Sequence, residues 1–165
     1  MDLKGISMIT TEYLKEHFSY KNGQLIRIKK VSNISKLNQP IGNISSNGYI
    51  QVRLFNKLHR LHRLIWVYHG YKLPKYIDHI NGNKLDNRIE NLRTATKAQN
   101  EYNKSIRKDN KSGFRGVYWN KQTDKWRVRL KIDGKHKDFG QFEELELAGL
   151  VAQEARSKYH GSFFK

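Results

Sequence analysis

An acidic residue and a histidine stand side by side in the sequence as Asp78-His79, between an apolar stretch and a turn. The turn-forming segment Asn81-Gly82-Asn83 follows, so we expect the pair at the end of a strand that enters a loop. A carboxylate can bind a hard divalent cation, and an imidazole held in one tautomer can deprotonate water near neutral pH. Hydrolysis of a phosphodiester bond needs both groups.

Two asparagines further along the chain could complete such a site. Asn91 follows His79 by twelve positions, and a hydrogen bond from its side chain would hold the imidazole in one orientation. Asn100 falls in Lys97–Asn103, which its Ala, Gln and Glu content favours as a short helix with Thr96 as N-cap. The Asn100 amide could be the second protein ligand of a metal ion. With a second strand expected at Asn91–Thr96, the sequence predicts a strand, a second strand and a helix that carry the candidate metal ligands.

Each of these features also has an ordinary structural explanation. An Asp-His pair in a polar loop is often a turn carboxylate beside an exposed imidazole, and Asn-Gly pairs are common in hairpins. The joint occurrence of the pair with two suitably spaced asparagines favours catalysis over a plain turn. The neighbours of His62 and Arg63 have helical periodicity, which fits either packing or phosphate contact for this pair. For His59, His62 and His69 we expect structural roles.

The residues that carry this pattern resemble the HNH homing endonuclease family. The resemblance rests on Asp-His, Asn-Gly-Asn, Asp-Asn-Arg-Ile-Glu-Asn-Leu-Arg and a trailing Gln-Asn, and it spans most of residues 12 to 104. It implies a strand-strand-helix motif in which Asp78 and Asn100 bind the metal. It also implies that His79 is the general base and that Asn91 orients this base. The resemblance thus implies cleavage of double-stranded DNA, in one strand or in both.

The sequence contains no cysteine, which limits the kinds of metal site that the chain can form. A structural zinc site built from thiolates is excluded, so no structural zinc is expected and packing must stabilise the motif. The candidate ligands of the active site are hard oxygens, which favour Mg²⁺ or Mn²⁺ over metals that prefer soft ligands. We therefore expect Mg²⁺ or Mn²⁺ as the cofactor.

The charge of the chain indicates a polyanionic partner. It contains 32 Lys and Arg residues against 15 Asp and Glu residues, for a net charge of +17. Double-stranded DNA fits both this charge and the Asp-His pattern. A membrane-binding protein would need a basic amphipathic helix or a long apolar run, and an RNA adaptor would need paired aromatics on a recognition sheet. Neither pattern is present, and without a secretory signal we expect a cytoplasmic protein in a bacterial or phage-infected cell.

Local composition divides the chain into two modules joined by a basic linker. We place the nuclease module at residues 1–104, the linker at 105–112 and a second module at 113–165. Strands predicted at Leu25–Ile28 and Tyr49–Phe55 would support the nuclease hairpin. The predicted fold class is α+β.

The second module has a strand of alternating character at its centre. From Trp126 to Ile132 apolar residues alternate with basic ones, so one face of the strand would be core and the other cationic. The turn Asp133-Gly134 leads into a strand at Lys135–Phe142, and Phe114–Trp119 supplies a third. A helical pattern then runs through Glu143–His160. The sequence therefore predicts a three-stranded antiparallel sheet packed on one helix.

This module resembles the plant ethylene-responsive-factor (Apetala-two) DNA-binding domain. Ser-Gly-Phe-Arg-Gly-Val-Tyr, Lys-Trp-Arg-Val, Phe-Gly-Gln-Phe and the Ala-rich helix carry the resemblance, which covers Ser112 to about Phe164. It implies a sheet laid into the DNA major groove. An alternative is that the basic side chains only solvate an exposed face of the sheet. The residues predicted to contact DNA, in both modules, are Arg63, Arg93, Arg115, Tyr118, Asn120, Arg127, Arg129, Lys131 and His136.

These patterns predict a monomeric, metal-dependent HNH endonuclease from a phage or mobile element. The alternative is a non-catalytic DNA-binding regulator in which the HNH module has become a scaffold. The intact set of base and metal ligands argues against a regulator, and metal-dependent DNA cleavage would separate the two.

Overall fold

The computed structural model describes residues 9–31, 36–103, 106 and 109–163. The chain has an α+β fold that divides into two compact units, an N-terminal unit, Met1–Ala95, and a C-terminal unit, Thr96–Lys165. The predicted nuclease module, residues 1–104, extends past this division, and its limits stay a prediction. Residues 105, 107 and 108 of the predicted linker lie outside the described part of the chain.

The N-terminal unit is built from short helices and hairpins. Its first helix begins after Thr10, whose hydroxyl accepts a hydrogen bond from the Tyr13 amide at 3.1 Å and so satisfies one free helix N–H group. The elements of the unit are α1 (Thr11–His17), β1 (Phe18–Lys21), β2 (Gln24–Arg27), β3 (Asn43–Ile44), β4 (Ile50–Leu54), β5 (Lys57–Arg60), α2 (Leu61–Tyr68), β6 (Tyr76–His79) and β7 (Leu92–Ala95).

Antiparallel pairing organises these strands around one apolar core. Strand β1 pairs with β2, strand β4 lies between β3 and β5, and β6 pairs with β7. Leu14, Phe18 and Leu25 are fully buried at the centre of the core. Ile77 of β6 and Leu92 of β7 belong to the same cluster. Burial of this apolar surface therefore fixes the β6–β7 hairpin to the rest of the unit.

The turn between β1 and β2 packs against the loop that joins β6 to β7. Asn22 and Gly23 have positive φ angles of 46° and 77°, as a tight two-residue hairpin turn requires. A Cβ atom at position 23 would lie 2.6 Å from the Arg88 backbone nitrogen, so only glycine allows this approach. The Tyr20 hydroxyl also accepts a hydrogen bond from the Ile89 amide at 3.0 Å. The first hairpin thus positions the loop before β7.

The C-terminal unit contains a three-stranded antiparallel sheet covered by a long helix. The small side chains of Ala148 and Ala152 on this helix pack with Val117 and Val128 of the sheet, which lets helix and sheet approach closely. The strand order is β10-β9-β8. The elements of the unit are α3 (Lys97–Tyr102), β8 (Val117–Asn120), β9 (Lys125–Ile132), β10 (Lys135–Phe142) and α4 (Leu145–His160).

Strand β8 begins three residues later than the sequence predicts, because the chain before it forms a turn. Gly113 and Gly116 both have positive φ, and the Ser112 hydroxyl donates to the Val117 carbonyl oxygen at 2.9 Å. A Cβ atom at position 116 would lie 2.3 Å from Leu130 Cδ2 and 3.0 Å from the Arg129 carbonyl oxygen. Gly116 is therefore required both by its backbone angle and by its neighbours.

We expect Gly116→Ala to destabilise the C-terminal unit more than Gly113→Ala. The two glycines have similar φ angles of 80° and 73°, but a Cβ atom at position 113 would meet nothing within 4 Å. Both variants carry the cost of a left-handed Ala, about 1–2 kcal/mol, and only Gly116→Ala adds about 1–3 kcal/mol of overpacking. Thermal unfolding and amide hydrogen exchange of β9 measure the difference. Equal losses of stability would show that Leu130 moves away from the added Cβ atom without a cost in free energy.

Candidate active site

Strand β6 ends in the Asp78-His79 pair. In the hairpin register Asp78 lies opposite Arg93 and His79 lies opposite Leu92 of β7. Asp78 is 8% exposed and His79 is 4% exposed. Polar groups at such depth cost free energy unless they have polar partners, so the partners of this pair define the site.

The His79 imidazole is held by an asparagine in the loop between β6 and β7. His79 Nε2 lies 3.1 Å from Asn87 Oδ1, and the Asn87 side chain is itself 1% exposed. Asn87 Nδ2 donates to the Leu85 carbonyl oxygen at 3.1 Å, which turns Oδ1 towards the imidazole. An amide oxygen can only accept, so the hydrogen is on Nε2 and the lone pair of the neutral ring is on Nδ1. Asn87 thereby selects one tautomer of His79.

Burial lowers the pKa of His79 from its usual value near 6.5. The hydrogen bond to Asn87 opposes this shift, and so do the carboxylates of Asp78 and Asp86, but burial is the largest influence. The imidazole is therefore neutral at neutral pH, as a general base must be.

A second histidine and a tyrosine form the wall behind His79. The His62 ring meets the His79 ring edge-on with centroids 5.0 Å apart, and the Tyr49 ring lies 6.0 Å from His79. Burial, reinforced by the charge that His79 would carry, lowers the pKa of His62 to about 3. His62 is thus a neutral packing residue here, in line with the structural role expected for it.

Asn91 does not make the hydrogen bond that the sequence predicts for it. Its side-chain oxygen accepts from the Asn81 amide at 2.9 Å, and its side-chain nitrogen donates to Asn81 Oδ1 at 2.9 Å and to the Asp86 carbonyl oxygen at 2.7 Å. The partner of His79 is Asn87, so the predicted bond is corrected. Asn91 instead fastens the turn after His79, because its carbonyl oxygen also accepts from the Ile80 amide at 2.8 Å. A catalytic role for Asn91 stays a prediction.

Asparagine side chains from one loop are hard to distinguish by sequence. Asn87 was not among the predicted site residues, although it follows His79 by only eight positions. Its one signal is its place beside Asp86, whose carboxylate forms a forked ion pair with Arg88 at 2.8 Å and accepts from Asn81 Nδ2 at 2.7 Å across the loop. Which of Asn87 and Asn91 reaches the imidazole depends on the path of this loop, which periodicity does not predict.

Asp78 is paired with a basic residue across the hairpin. Arg93 Nε donates to Asp78 Oδ2 at 2.9 Å, and Arg93 Nη2 lies 2.8 Å from the same oxygen. The pair is mostly buried, so the interaction is poorly screened by solvent. Arg93, predicted as a DNA contact, thus fixes the orientation of the candidate metal ligand.

The second predicted metal ligand, Asn100, lies on α3 in the C-terminal unit. This helix begins with a capping box, in which the Thr96 hydroxyl accepts from the Gln99 amide at 3.2 Å and Gln99 Oε1 accepts from the Thr96 amide at 2.7 Å. The Asn100 amide nitrogen bonds to the Thr96 carbonyl oxygen at 3.1 Å, but its side chain makes no hydrogen bond within the described ranges. Its role as a ligand stays a prediction.

Two of the predicted DNA contacts donate to backbone carbonyl groups. Arg115 donates through Nη1 to the Tyr102 carbonyl oxygen at 2.6 Å and through Nη2 to that of Glu101 at 3.0 Å. Arg63 donates to the Lys75 carbonyl oxygen at 3.4 Å. Burial lowers the pKa of both guanidinium groups.

The remaining candidates lie on the sheet of the C-terminal unit. Arg127 is engaged with the carboxylate of Asp138, and Asn120 donates to Gln141 Oε1 at 3.1 Å. For all predicted contacts, binding to DNA stays a prediction. The exposed candidates are Tyr118, Arg129, Lys131 and His136.

The part of the chain that the structure describes contains no group of three or more His, Cys, Asp or Glu side chains placed to hold a metal ion. In the same residues no helix combines the length and apolar character needed to cross a membrane.

Comparison with known proteins identifies the segment that contains the site. The model of the family described as HNH endonuclease matches residues 59–102. An uncharacterized HNH endonuclease of Acanthamoeba polyphaga mimivirus is 47% identical over 62 residues, which cover 35% of this chain and 32% of that protein. A putative HNH homing endonuclease of the SPbeta prophage of Bacillus subtilis is 36% identical over 55 residues, 32% of each chain. No solved structure gives a significant match.

The β6–β7 hairpin and its loop therefore lie within an HNH endonuclease domain. A third relative, Protein 3.8 of Escherichia phage T7, is 35% identical over 111 residues, which cover 66% of this chain and 91% of that protein. The chain belongs to the same family as this phage protein.

Proposed function

We propose that this chain is a metal-dependent endonuclease that hydrolyses phosphodiester bonds of double-stranded DNA. The observation that carries the proposal is the environment of His79. Its imidazole is buried and fixed in one tautomer by Asn87, and the carboxylate of Asp78, the preceding residue of β6, acts on it electrostatically. The segment around it matches the HNH endonuclease family.

His79 acts as the general base in this proposal. The tautomer set by Asn87 leaves the lone pair on Nδ1, so Nδ1 accepts the proton of the attacking water. The lowered pKa of His79 keeps the ring neutral before the reaction. Once protonated, the ring remains aligned, because Nε2 still donates to Asn87.

The donor chemistry of the candidate ligands fits a hard divalent cation. Asp78 offers a carboxylate and Asn100 an amide oxygen, and these two residues would hold Mg²⁺ or Mn²⁺. When bound, such an ion supplies Lewis-acid stabilisation of the charge that develops on the phosphate and the leaving oxygen. The ion pair with Arg93 orients the Asp78 carboxylate.

We also propose that the C-terminal unit positions the DNA. Its sheet and helix agree with the architecture implied by the resemblance to the ethylene-responsive-factor domain, and exposed basic residues lie on the sheet. The net charge of +17 supports a phosphate-rich partner. In a phage-related protein, that partner would be met in the host cytoplasm.

We expect Asn87→Ala to slow cleavage by about 10-fold to 100-fold, because it releases the imidazole that the reaction needs in one tautomer. As a positioning residue, Asn87 acts on kcat, so KM for DNA should stay close to the wild-type value. Steady-state cleavage of a labelled duplex measures both constants, and circular dichroism checks folding. A rise in KM with unchanged kcat would assign Asn87 to DNA binding instead.

One observation favours a second function, that of a non-catalytic DNA-binding regulator. Asp78 is already neutralised by Arg93, and a carboxylate in such a pair can serve structure alone. In this case the β6–β7 hairpin would have only a structural role. The protein would bind DNA through its basic residues without cutting it.

Cleavage of supercoiled plasmids separates the two functions. The purified chain is incubated with several plasmids of different sequence and with Mg²⁺ or Mn²⁺, with EDTA as control. The nuclease predicts nicked or linear products that EDTA abolishes. Retarded migration of intact plasmid, with every metal and sequence, would support the regulator.

A further inference from the structure

The C-terminal unit contains a cavity of about 560 Å³, apart from the Asp78-His79 site. It is lined by helix α3, the turn before β8, the end of β9, the start of β10 with the turn that precedes it, and the end of α4. This volume is within the range of roughly 300–1,000 Å³ that is typical of small-molecule sites. The cavity is therefore large enough to take a ligand of about the size of one nucleotide.

The lining of this cavity is strongly cationic. Five Lys or Arg side chains contribute to it, against the single carboxylate of Glu101. Arg156 is only 6% exposed, and burial together with the charge of Arg115 lowers the pKa of Arg156 to about 10. The charge of Arg115 thus acts on Arg156 in a partly dehydrated part of the wall. An anion in the cavity would be attracted by the combined charge of the five basic side chains.

A histidine in the wall has unused hydrogen-bonding capacity. His160 is 9% exposed and stacks on the Tyr102 ring, with centroids 3.7 Å apart and an interplanar angle of 8°. A weak backbone hydrogen bond with Lys131 opposes the lowering of the His160 pKa by burial, but neither ring nitrogen meets the distance and angle of a normal hydrogen bond with a described residue. A buried imidazole in this state is stabilised by a ligand oxygen that accepts from it.

We propose that this cavity binds a phosphate-bearing ligand of about nucleotide size. The exposed side chains of Arg129 and Lys131 can bind phosphate oxygens by charge-assisted hydrogen bonds, and the Tyr102–His160 pair offers a flat aromatic wall. The proposal goes beyond the nuclease, since it concerns binding in the C-terminal unit and does not require cleavage at His79. The phosphate can belong to a free nucleotide or to the end of a DNA strand. The residues that would form the site are Arg115, Arg129, Lys131, His136, Arg156 and His160.

Isothermal titration calorimetry tests this site in the full-length chain carrying His79→Ala, so that cleavage does not interfere. The probes are deoxyadenosine monophosphate, deoxyadenosine, and a DNA tetranucleotide with and without a 5′-phosphate, all at one ionic strength. We expect the phosphorylated probes to bind at least about tenfold more tightly than their unphosphorylated counterparts. Binding of both phosphorylated probes indicates a free-nucleotide site, and binding of the phosphorylated tetranucleotide alone indicates a strand-end site. Equal binding with and without phosphate, or no binding of any probe, would overturn the proposal.

Two variants locate the binding in the cavity. We expect Lys131→Met and His160→Phe each to weaken binding of the phosphorylated probe by about tenfold. Lys125→Met is the matched control, because Lys125 lies on the same strand, pairs with Glu143 at 3.2 Å and does not line the cavity. Equal weakening by Lys125→Met would mean that net charge alone attracts the probe. Cleavage by the wild-type protein is measured separately, so failure of the nuclease proposal cannot be mistaken for failure of this one.

Discussion

His79→Ala is expected to reduce the rate of DNA cleavage by about 10²-fold to 10⁴-fold, the usual contribution of a general base. The imidazole is 4% exposed and lies against His62 and Asn87, so the substitution leaves a space that a small molecule could enter. Added imidazole should therefore restore part of the lost rate. Single-turnover cleavage of a labelled duplex measures both effects.

His59→Ala is the matched control for this experiment. His59 lies on β5 of the same unit, is half-buried, and is a different residue from Asn87, Tyr49 and His62, which contact His79. Its removal should leave the cleavage rate within about twofold of wild type, because it has no part in the proposed chemistry. If His79→Ala cuts as fast as His59→Ala, another residue is the base.

Asp78→Ala is expected to lower cleavage at least about 100-fold, since a metal ligand supports several kcal/mol of transition-state stabilisation. Binding of Mn²⁺, measured by calorimetry, should weaken by about tenfold or more. Asp78→Asn keeps the size of the side chain and an oxygen for Arg93, so it reports the loss of charge with less disturbance of the hairpin. We expect it to lose activity as well.

The Asp78 variants could lose activity only because an ion pair is broken. A second ion-paired carboxylate tests this explanation. Glu16 pairs with Lys29 in the same unit, outside the site. Glu16→Gln also breaks an ion pair, but it should leave both Mn²⁺ binding and cleavage close to wild type. A fall in melting temperature for Asp78→Asn, with Mn²⁺ affinity unchanged, would assign Asp78 to the fold and not to the metal.

The local elements of the active site were predictable because each has a short-range cause. The apolar residues before Asp78 and the turn residues after His79 place this pair at a strand end, and β6 ends at His79. Thr96 caps a short helix as expected, with Gln99 completing the capping box. These features depend on neighbours within a few positions, which a sequence displays directly.

The partner of the imidazole was not predictable in the same way. The choice of Asn87 over Asn91 follows from the path of the β6–β7 loop, which Gly23 and Tyr20 fix from a distant hairpin. Long-range packing of this kind leaves no periodic signal. The same reason explains why Arg156 and His160, spaced as ordinary helix residues, lie in the wall of a cationic cavity.

The alternation of apolar and basic residues predicted strand β9, but it did not indicate which of the basic residues form ion pairs. Arg127 has the same place in the pattern as Arg129 and Lys131, yet Arg127 is paired with Asp138 across the sheet. In the strand register Asp138 lies opposite Arg129 and Arg127 lies opposite Gln141, so the ion pair is diagonal, and the irregularity between Asp138 and Gly140 shifts the pairing locally. A bulge of this kind can be seen only in the assembled sheet.

The Asp78-His79 site is proposed to hydrolyse DNA. The most direct test incubates supercoiled plasmid and Mg²⁺ with wild-type protein and, prepared in parallel, with the His79→Ala variant. We predict that the wild type produces nicked or linear DNA, that EDTA stops it, and that His79→Ala leaves the plasmid intact over the same time. Equal cleavage by both proteins, or binding without cleavage by the wild type, would contradict the claim.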